Sequence, residues 1–257
     1  LIYEVSDRRN MAEKPVRGIA PVERLLERLL REWKPDAVVC TYMVYPYMLD
    51  SLASRTGRAV PYLTVVTDSF VINKSWLCSK SPLWAVTDPW TRAIMEEKGL
   101  PQDRLRVTGF PVNPVLGALA KEHPLSWKEG EPFRVLYFAQ RSARHARAEL
   151  AGMLDANPAL HVTCILGRRF RRIYPRIRDL RARYGRRLTV RGWTRRVPSY
   201  LAASHVEVGK AGGATVHEVL AAARPMLVNF LLPGQEEGNT RLLEKLGGGG
   251  HVPDVRA

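Results

Sequence analysis

The sequence lacks any apolar run approaching the roughly 20 residues that a membrane-spanning helix needs. Its opening, LIYEVSDRRN, has no basic region followed by an apolar one, so no secretory signal is expected. Cysteine is scarce, and the three residues present, Cys40, Cys78 and Cys164, are far apart and odd in number. Because Cys40 and Cys164 lie in apolar, strand-like runs, we expect reduced core residues of a cytosolic protein.

Negative charge is also scarce, since 25 Asp and Glu oppose 40 Lys and Arg, which leaves a net charge of +15. The obvious anionic partners are nucleic acid and anionic membrane surfaces. Ten arginines lie within residues 168–187. Apolar residues recur there at helical spacing, namely Ile173, Ile177, Leu180 and Tyr184, which predicts an amphipathic helix with a basic outer face. An arginine-rich solvated surface is the alternative, and nucleic acid is disfavoured because few aromatics are interleaved.

The composition, 46% hydrophobic and 25% charged over 257 residues, is that of a globular protein with one large domain or two ordinary ones. The strand-like LIYEV at the first residue suggests that the chain starts inside a domain. Strand and helix patterns alternate throughout, which predicts an α/β fold with parallel sheets. Asp88 and Pro89 form an N-cap followed by proline at the first helical position.

The predicted elements form two series. In the first half we predict helices over residues 22–33, 47–55 and 89–98, and strands over 36–41, 60–66, 83–86 and 105–108. In the second half we predict helices over 143–156, 168–187, 198–203, 215–223 and 236–246, and strands over 133–138, 160–166, 188–191, 206–208 and 226–230. The proline- and glycine-rich segment 110–132 is predicted to be a linker. The domains are therefore a partial N-terminal one (1–110), a linker (111–132) and a nearly complete doubly wound one (133–257).

The stretch VGKAGGATVHEVL joins the strand 206–208 to the helix after it. Ligands of open α/β sheets bind at the carboxyl ends of strands, and helix N-termini present free N–H groups to anions. Adjacent glycines, Gly212 and Gly213, let a diphosphate approach the backbone, and Lys210 adds positive charge. The blander alternative is a capping box from Thr215 to Glu218. The Glu218 carboxylate would otherwise suit the hydroxyls of a ribose.

A second loop, PGQEEGN, follows the next strand. Its Gln235, Glu236 and Asn239 have donors and acceptors suited to sugar hydroxyls, whereas Glu237 has a ready alternative role in favouring the helix dipole. Two such loops at one sheet edge predict a site for a ligand that carries both phosphate and sugar.

The segment GKAGGATVHEVLAAARPMLVNFLLPGQEEGN resembles the donor-binding signature of glycosyltransferase family 28. In the first half, KPDAVVCTYMVYP, VPYLTVVTDSFVINKSW and DRLRVTGFPVNP resemble landmarks of the galactolipid-synthase branch, in the same order. That family includes monogalactosyldiacylglycerol synthases and processive diacylglycerol glucosyltransferases. The resemblance implies a GT-B fold, that is, two Rossmann-like doubly wound domains, here with the N-terminal one incomplete, and an inverting transfer from a UDP-sugar.

The resemblance also implies roles for individual residues. Phosphates would be held by Gly212, Gly213 and Thr215, ribose by Glu218, and the sugar or nearby phosphate by Gln235, Glu236 and Asn239. Trp193 follows the strand that leads to the uracil pocket, although a structural tryptophan is equally consistent. The loop 139–143 lacks the glycines of the family, so Arg141 and Ser142 are the available substitutes there.

The family's N-terminal glycine-rich loop with a histidine has no counterpart here, and the chain offers Asp68 as the remaining candidate for the base of an inverting transfer. Asp68 has the alternative role of capping the following loop. Asn73 stands where many relatives have a histidine and cannot act as a base. Trp76 is predicted either to pack against the acceptor lipid or to fill the core. The histidines show no metal-ligand spacing, so we expect neither metal nor cofactor.

The function favoured by the resemblance is transfer of a hexose from a UDP-sugar to diacylglycerol by a cytoplasmic enzyme that is peripheral on the inner face of an anionic membrane. The alternatives are an N-acetylglucosamine transferase acting on a polyprenyl-linked precursor, a related GT-B epimerase, and a non-catalytic nucleotide-binding or membrane-docking module. No nucleic-acid partner is expected.

Overall fold

The computed structural model describes residues 20–252, and the chain divides into two compact units, Leu1–Phe110 and Pro111–Ala257. Both units are parallel β-sheets with helices between the strands, as the alternating pattern predicts. The strand expected at the first five residues lies outside the described residues. Within residues 20–252, no helix is both long and apolar enough to cross a membrane.

The first unit contains a four-stranded sheet of order β1-β2-β3-β4, in which all neighbouring strands are parallel. Its elements are α1 (Ala20–Trp33), β1 (Val38–Cys40), α2 (Val44–Thr56), β2 (Tyr62–Val65), β3 (Trp84–Val86), α3 (Pro89–Glu97) and β4 (Leu105–Val107). The predicted N-cap of α3 is confirmed, because the Asp88 side chain accepts a hydrogen bond from the Thr91 N–H at 2.8 Å. Trp84, Met95 and Leu105 form part of the buried core.

The second unit contains a six-stranded parallel sheet of order β10-β9-β8-β5-β6-β7. Its elements are α4 (Val115–Glu122), β5 (Phe133–Phe138), α5 (Ala143–Ala156), β6 (Leu160–Ile165), α6 (Phe170–Ile173), α7 (Arg178–Tyr184), β7 (Leu188–Arg191), α8 (Val197–Ala202), β8 (Val206–Lys210), α9 (Gly213–Ala221), β9 (Met226–Phe230), α10 (Gln235–Lys245) and β10 (Gly249–His251). The chain leaves the central strand β5 in one direction and returns to its other side, which is the doubly wound pattern.

The segment predicted to be a linker is partly helical. Helix α4 packs against α8 and α9, and its Leu116 is almost fully buried. The prediction failed because proline and glycine flank the helix on both sides and conceal its short apolar pattern. Strand β10 was also missed, since its glycines carry no alternation of apolar and polar side chains.

The arginine-rich segment is not one continuous helix. It forms the two short helices α6 and α7, separated by a 3₁₀ turn at Tyr174–Arg176 that contains Pro175. Proline has no N–H to donate and clashes with the preceding turn, so a longer helix is interrupted there. The predicted apolar face is nonetheless confirmed, because all four of its residues are buried: Ile173, Ile177, Leu180 and Tyr184.

All three cysteines are free thiols, as expected. Burial raises the pKa of the Cys40 thiol to about 11, and it also raises the pKa of Cys164. Both groups therefore stay protonated at neutral pH and behave as small apolar core residues.

Candidate functional site

The two loops singled out in the sequence meet at the carboxyl edge of the second sheet. Strands β8 and β9 are parallel neighbours, so the loops that follow them lie side by side. The Asn239 side-chain amide donates to the Ala211 carbonyl at 2.9 Å, and Lys210 forms an ion pair with Glu236. Both contacts run from the end of β8 and the first loop to α10, the helix that follows the second loop.

Helix α9 begins without a capping side chain. Its N-cap is Gly212 and its first residue is Gly213, so Thr215 lies inside the first turn and the capping-box alternative is wrong. A Cβ at Gly212 would lie no closer than 3.8 Å to its neighbours, which shows that packing does not require glycine there. The N–H groups of the first turn are thus left to a ligand or to water.

Glu218 lies one turn further along α9. It is half-buried, and it forms no side-chain hydrogen bond or ion pair with any other residue in the range 20–252. Burial raises the pKa of this carboxyl. Because Glu218 does not cap the start of α9, its carboxylate oxygens are available to accept hydrogen bonds from a ligand.

Helix α10 begins differently, because its carboxylate is engaged by the protein. Glu236 is 2% exposed, and one of its oxygens accepts from the Leu232 N–H at 2.8 Å while the other pairs with Lys210. Asn239 is also buried, with its Oδ1 unpartnered among the described residues. Glu236 and Asn239, which were predicted to contact the sugar or a nearby phosphate, therefore hold the two loops together. The Gln235 side chain lies outside the described part of the chain.

An open cavity of about 690 Å³ occupies this edge of the sheet, a volume typical of small-molecule sites. Its lining includes Lys210 at the end of β8 and Phe230 and Leu232 near the second loop, but none of Gly212, Gly213, Thr215 and Glu218. Trp193 also lines it, with 59% of the residue exposed and the Arg195 guanidinium 5.6 Å from its ring centroid. Trp193 is therefore a surface residue of the cavity and not a core residue.

Sequence reasoning missed a buried polar network beneath this edge. The Glu149 carboxylate on α5 accepts hydrogen bonds from the Tyr137 hydroxyl, from the Asn229 amide at 3.0 Å and from Arg141 at 3.3 Å. Arg141 also lies 5.3 Å from the centroid of the Phe230 ring. The only sequence signal was an acidic residue among the apolar positions of α5. The network fixes the positively charged guanidinium of Arg141 beside the carboxyl end of β5.

Ser142, the other substitute considered for the missing glycines, is the N-cap of α5. Its side chain accepts from the His145 N–H. That bond satisfies one of the free donors at this helix start, so the hydroxyl already has a structural role.

In the first unit, Asp68, Asn73 and Trp76 form a buried cluster after β2. The Trp76 indole donates to Asp68 at 2.7 Å, and the Asn73 side chain accepts from the Ser75 N–H at 2.8 Å. Trp76 is 2% exposed and packs in the core, which is the second of the two roles predicted for it. Among the described residues, no group of three or more His, Cys, Asp or Glu is placed to hold a metal ion.

Comparison with known proteins supports the resemblance found in the sequence. The family described as monogalactosyldiacylglycerol (MGDG) synthase matches residues 1–112. The processive diacylglycerol beta-glucosyltransferase of Staphylococcus carnosus (strain TM300) is 26% identical over 233 residues, which cover 89% of this chain and 58% of that protein. The enzyme of the same name from Bacillus subtilis (strain 168) is 24% identical over 228 residues, covering 86% and 58%. The chain thus spans less than two thirds of the length of these relatives.

Solved structures confirm the predicted GT-B fold. Acinetobacter baumannii MurG aligns with a TM-score of 0.58 at 15% identity, covering 88% of this chain and 62% of that one. The UDP-GlcNAc 2-epimerase from Neisseria meningitidis bound to UDP-GlcNAc also aligns with a TM-score of 0.58, at 13% identity, covering 91% and 74%. At these identities the likeness carries the fold alone.

Proposed function

We propose that this protein transfers a hexose from a UDP-sugar to diacylglycerol, with inversion at the anomeric carbon. The observation that carries the proposal is the uncapped start of α9 at Gly212 and Gly213, with the unengaged carboxylate of Glu218 one turn beyond. An uncapped helix start attracts phosphate, and a free carboxylate accepts from a ribose diol. The names of the curated relatives supply the acceptor class.

The cavity fits the remaining parts of the donor. Lys210 lines the cavity, and Arg141 is held by Glu149 beside the carboxyl end of β5, so both add positive charge at the edge where a diphosphate would lie. Trp193 offers an exposed ring face at the position suited to uracil. We propose that the donor is held by these groups and by backbone N–H donors, without a protein-bound metal or cofactor.

In the proposed reaction, a base removes the proton from the acceptor hydroxyl while that oxygen attacks the anomeric carbon. The bond from this carbon to the diphosphate breaks, and UDP leaves with the bonding electron pair. One displacement inverts the configuration. The N–H groups of α9 and the nearby cations stabilise the charge that develops on the leaving diphosphate. Asp68 remains our candidate base.

The acceptor is a lipid, so we propose peripheral binding on the cytoplasmic face of an anionic membrane. The exposed arginines of α6 and α7 are the surface suited to it, at about 1 kcal/mol for each well-placed residue. The sequence resemblance leaves transfer of N-acetylglucosamine to a polyprenyl-linked acceptor, or epimerisation, as the second candidate.

The test is calorimetric titration with UDP, followed by product analysis with radiolabelled UDP-glucose, UDP-galactose and UDP-N-acetylglucosamine against both acceptors. Glu218→Ala should weaken UDP binding by about tenfold or more, since a charge-assisted hydrogen bond is lost. The matched control is Glu237→Ala on the exposed side of α10. UDP binding without turnover would favour a non-catalytic nucleotide-binding module, and equal affinities of the two variants would refute the site.

A further inference from the structure

A second cavity, of about 420 Å³, lies at the opposite edge of the same sheet. Arg134 is the second residue of β5, His205 directly precedes β8, and Arg224 precedes β9 by two residues. These positions mark the amino ends of parallel strands. Phe138, four residues further along β5, lines the donor cavity, so about 13 Å of strand separates Arg134 from that cavity. We call this cavity the amino-edge pocket.

Arg224 brings a buried charge to the pocket and forms no ion pair within residues 20–252. It is 4% exposed, and its guanidinium donates to the carbonyls of His123 at 2.5 Å, Ala202 at 2.7 Å and Ala223 at 3.1 Å. Its Nε has no acceptor among the described residues. Buried cations are normally paired with a carboxylate. Among the described residues, the hydrogen-bond acceptors of Arg224 are all neutral carbonyls.

Arg134 and His205 add two more donors. The Arg134 backbone N–H donates to His205 Nδ1 at 2.9 Å, so Nδ1 is unprotonated and a neutral ring carries its proton on Nε2. That nitrogen lies 2.8 Å from Nη2 of Arg134, which is also a donor. Neither group can accept from the other. An acceptor atom beside the two nitrogens would accept from Arg134 Nη2 and would share the Nε2 proton with the Ser126 backbone, which already hydrogen-bonds His205.

Electrostatics point the same way. Burial, followed by the charges of Arg134 and Arg224, lowers the pKa of His205, while the Ser126 backbone and Glu131 oppose the shift. Burial and then Arg134 lower the pKa of Arg224. Glu122 also lines the pocket. Within residues 20–252, no ion pair joins either glutamate to Arg134 or Arg224.

We propose that the amino-edge pocket binds a phosphate group. A phosphate group carries negative charge on several acceptor oxygens. These oxygens suit the N–H donors of the Arg134 guanidinium and of the His205 ring, beside the buried guanidinium of Arg224. The cavity is larger than a bare phosphate, so the group is an ester with a small organic part. Leu125 lines the pocket and is 49% exposed, which gives it an apolar rim. The source is either a phospholipid headgroup or a free phosphate ester.

The first experiment measures thermal unfolding of the full chain against inorganic phosphate, with chloride at matched ionic strength as reference and saturating UDP throughout to occupy the donor cavity. Phosphate should raise the melting temperature of the parent. Arg134→Gln should weaken the apparent phosphate affinity by about tenfold or more. Arg178→Gln, the same charge loss at an exposed residue without side-chain partners in the range 20–252, is the control and should match the parent.

The Arg134 side chain also donates to the Ala203 carbonyl at 2.6 Å, so the glutamine variant loses a structural contact as well. Arg134→Lys keeps the positive charge but loses the planar pair of N–H donors of the guanidinium. Its phosphate affinity should therefore fall between those of the parent and Arg134→Gln. UDP affinity should be unchanged in all three variants, which separates this pocket from the donor site. Equal phosphate responses of Arg134→Gln and Arg178→Gln would overturn the proposal.

The second experiment distinguishes the two sources. Vesicles of phosphatidylcholine with and without phosphatidylglycerol are sedimented with each variant, and glycerol 3-phosphate is titrated separately. A lipid occupant predicts that Arg134→Gln loses more binding to phosphatidylglycerol vesicles than Arg241→Gln, the vesicle control, which removes the same charge at an exposed residue outside α6 and α7. A free ester predicts equal vesicle binding but weaker binding of glycerol 3-phosphate by Arg134→Gln. Either pattern supports the pocket, and the absence of both contradicts it.

Discussion

Lys210 and Glu236 form an ion pair that joins the end of β8 to the first turn of α10. Lys210 was predicted to add positive charge near the phosphates, and Glu236 to contact the sugar or a nearby phosphate. Glu236 is buried and also accepts from the Leu232 N–H, whereas Lys210 remains partly exposed in the lining of the donor cavity. The pair therefore sets the spacing of the two loops, and only the lysine is accessible to a ligand.

Glu236→Ala should destabilise the fold by about 1–3 kcal/mol, because it leaves the Leu232 N–H and the Lys210 charge without their acceptor. Glu236→Gln should cost less, since an amide oxygen still accepts from Leu232. Urea unfolding measures both. Glu237→Ala is the control on the exposed side of the same turn and should stay within about 0.5 kcal/mol. Equal losses for the two alanine variants would contradict the bracing role.

Trp193→Ala should separate binding from stability. The residue is largely exposed, so the unfolding free energy should change by about 0.5 kcal/mol or less. Stacking of a base on an aromatic ring is worth about 1–3 kcal/mol, so UDP affinity should fall by at least about fivefold in calorimetry. Trp33→Ala, at a residue of the first unit that is 74% exposed, should leave UDP affinity unchanged. No loss on changing Trp193 would remove it from the site.

Glu207 on β8 should make the fold less stable as the pH rises. Its carboxyl is fully buried with no partner among the described residues, and burial raises its pKa well above the ordinary value. The folded state thus holds the proton more tightly than the unfolded state. Stability is fully present below the unfolded pKa of about 4.3 and is lost as the pH rises through the folded pKa.

Glu207→Met replaces this carboxyl with an apolar side chain of similar length. The variant should gain about 1–3 kcal/mol of unfolding free energy at pH 8 and less at pH 5. Urea unfolding at the two pH values measures the difference. Glu97→Met, at an exposed residue of α3, should show no such pH dependence. A gain at pH 8 no larger than at pH 5 would mean that the Glu207 carboxyl does not titrate as described.

Asp68→Asn tests whether the carboxylate acts as the base. The amide oxygen can still accept from the Trp76 indole, so the fold should be retained, whereas proton removal from the acceptor should be lost. We expect hexose transfer to fall by at least about 100-fold with UDP affinity unchanged. Asp68→Ala should also destabilise the first unit, because the buried indole N–H loses its acceptor. Transfer by Asp68→Asn at the parental rate would exclude Asp68 as the base.

Local sequence patterns were sufficient for most elements and for one cap. The parallel sheets follow from alternating strand and helix periods, and the α3 cap follows from Asp88-Pro89, since both depend on residues close in sequence. Two predictions from local patterns were wrong. The segment containing α4 was predicted to be a linker because of its prolines and glycines, and the arginine-rich segment was predicted to be one helix although Pro175 interrupts it. The glycines before α9 predicted a helix start, but its first residue was predicted two positions late.

Side-chain partners were decided by the tertiary structure. The order of strands brought β8 beside β9, which turned Glu236 and Asn239 into braces between loops and left Glu218 unengaged. The same packing gathered Arg134, His205 and Arg224, which lie far apart in the chain, around one pocket. Backbone dihedrals and apolar periodicity are local properties that the sequence alone determined. Which polar groups meet depends on the packing of distant segments, and only the folded chain decided that.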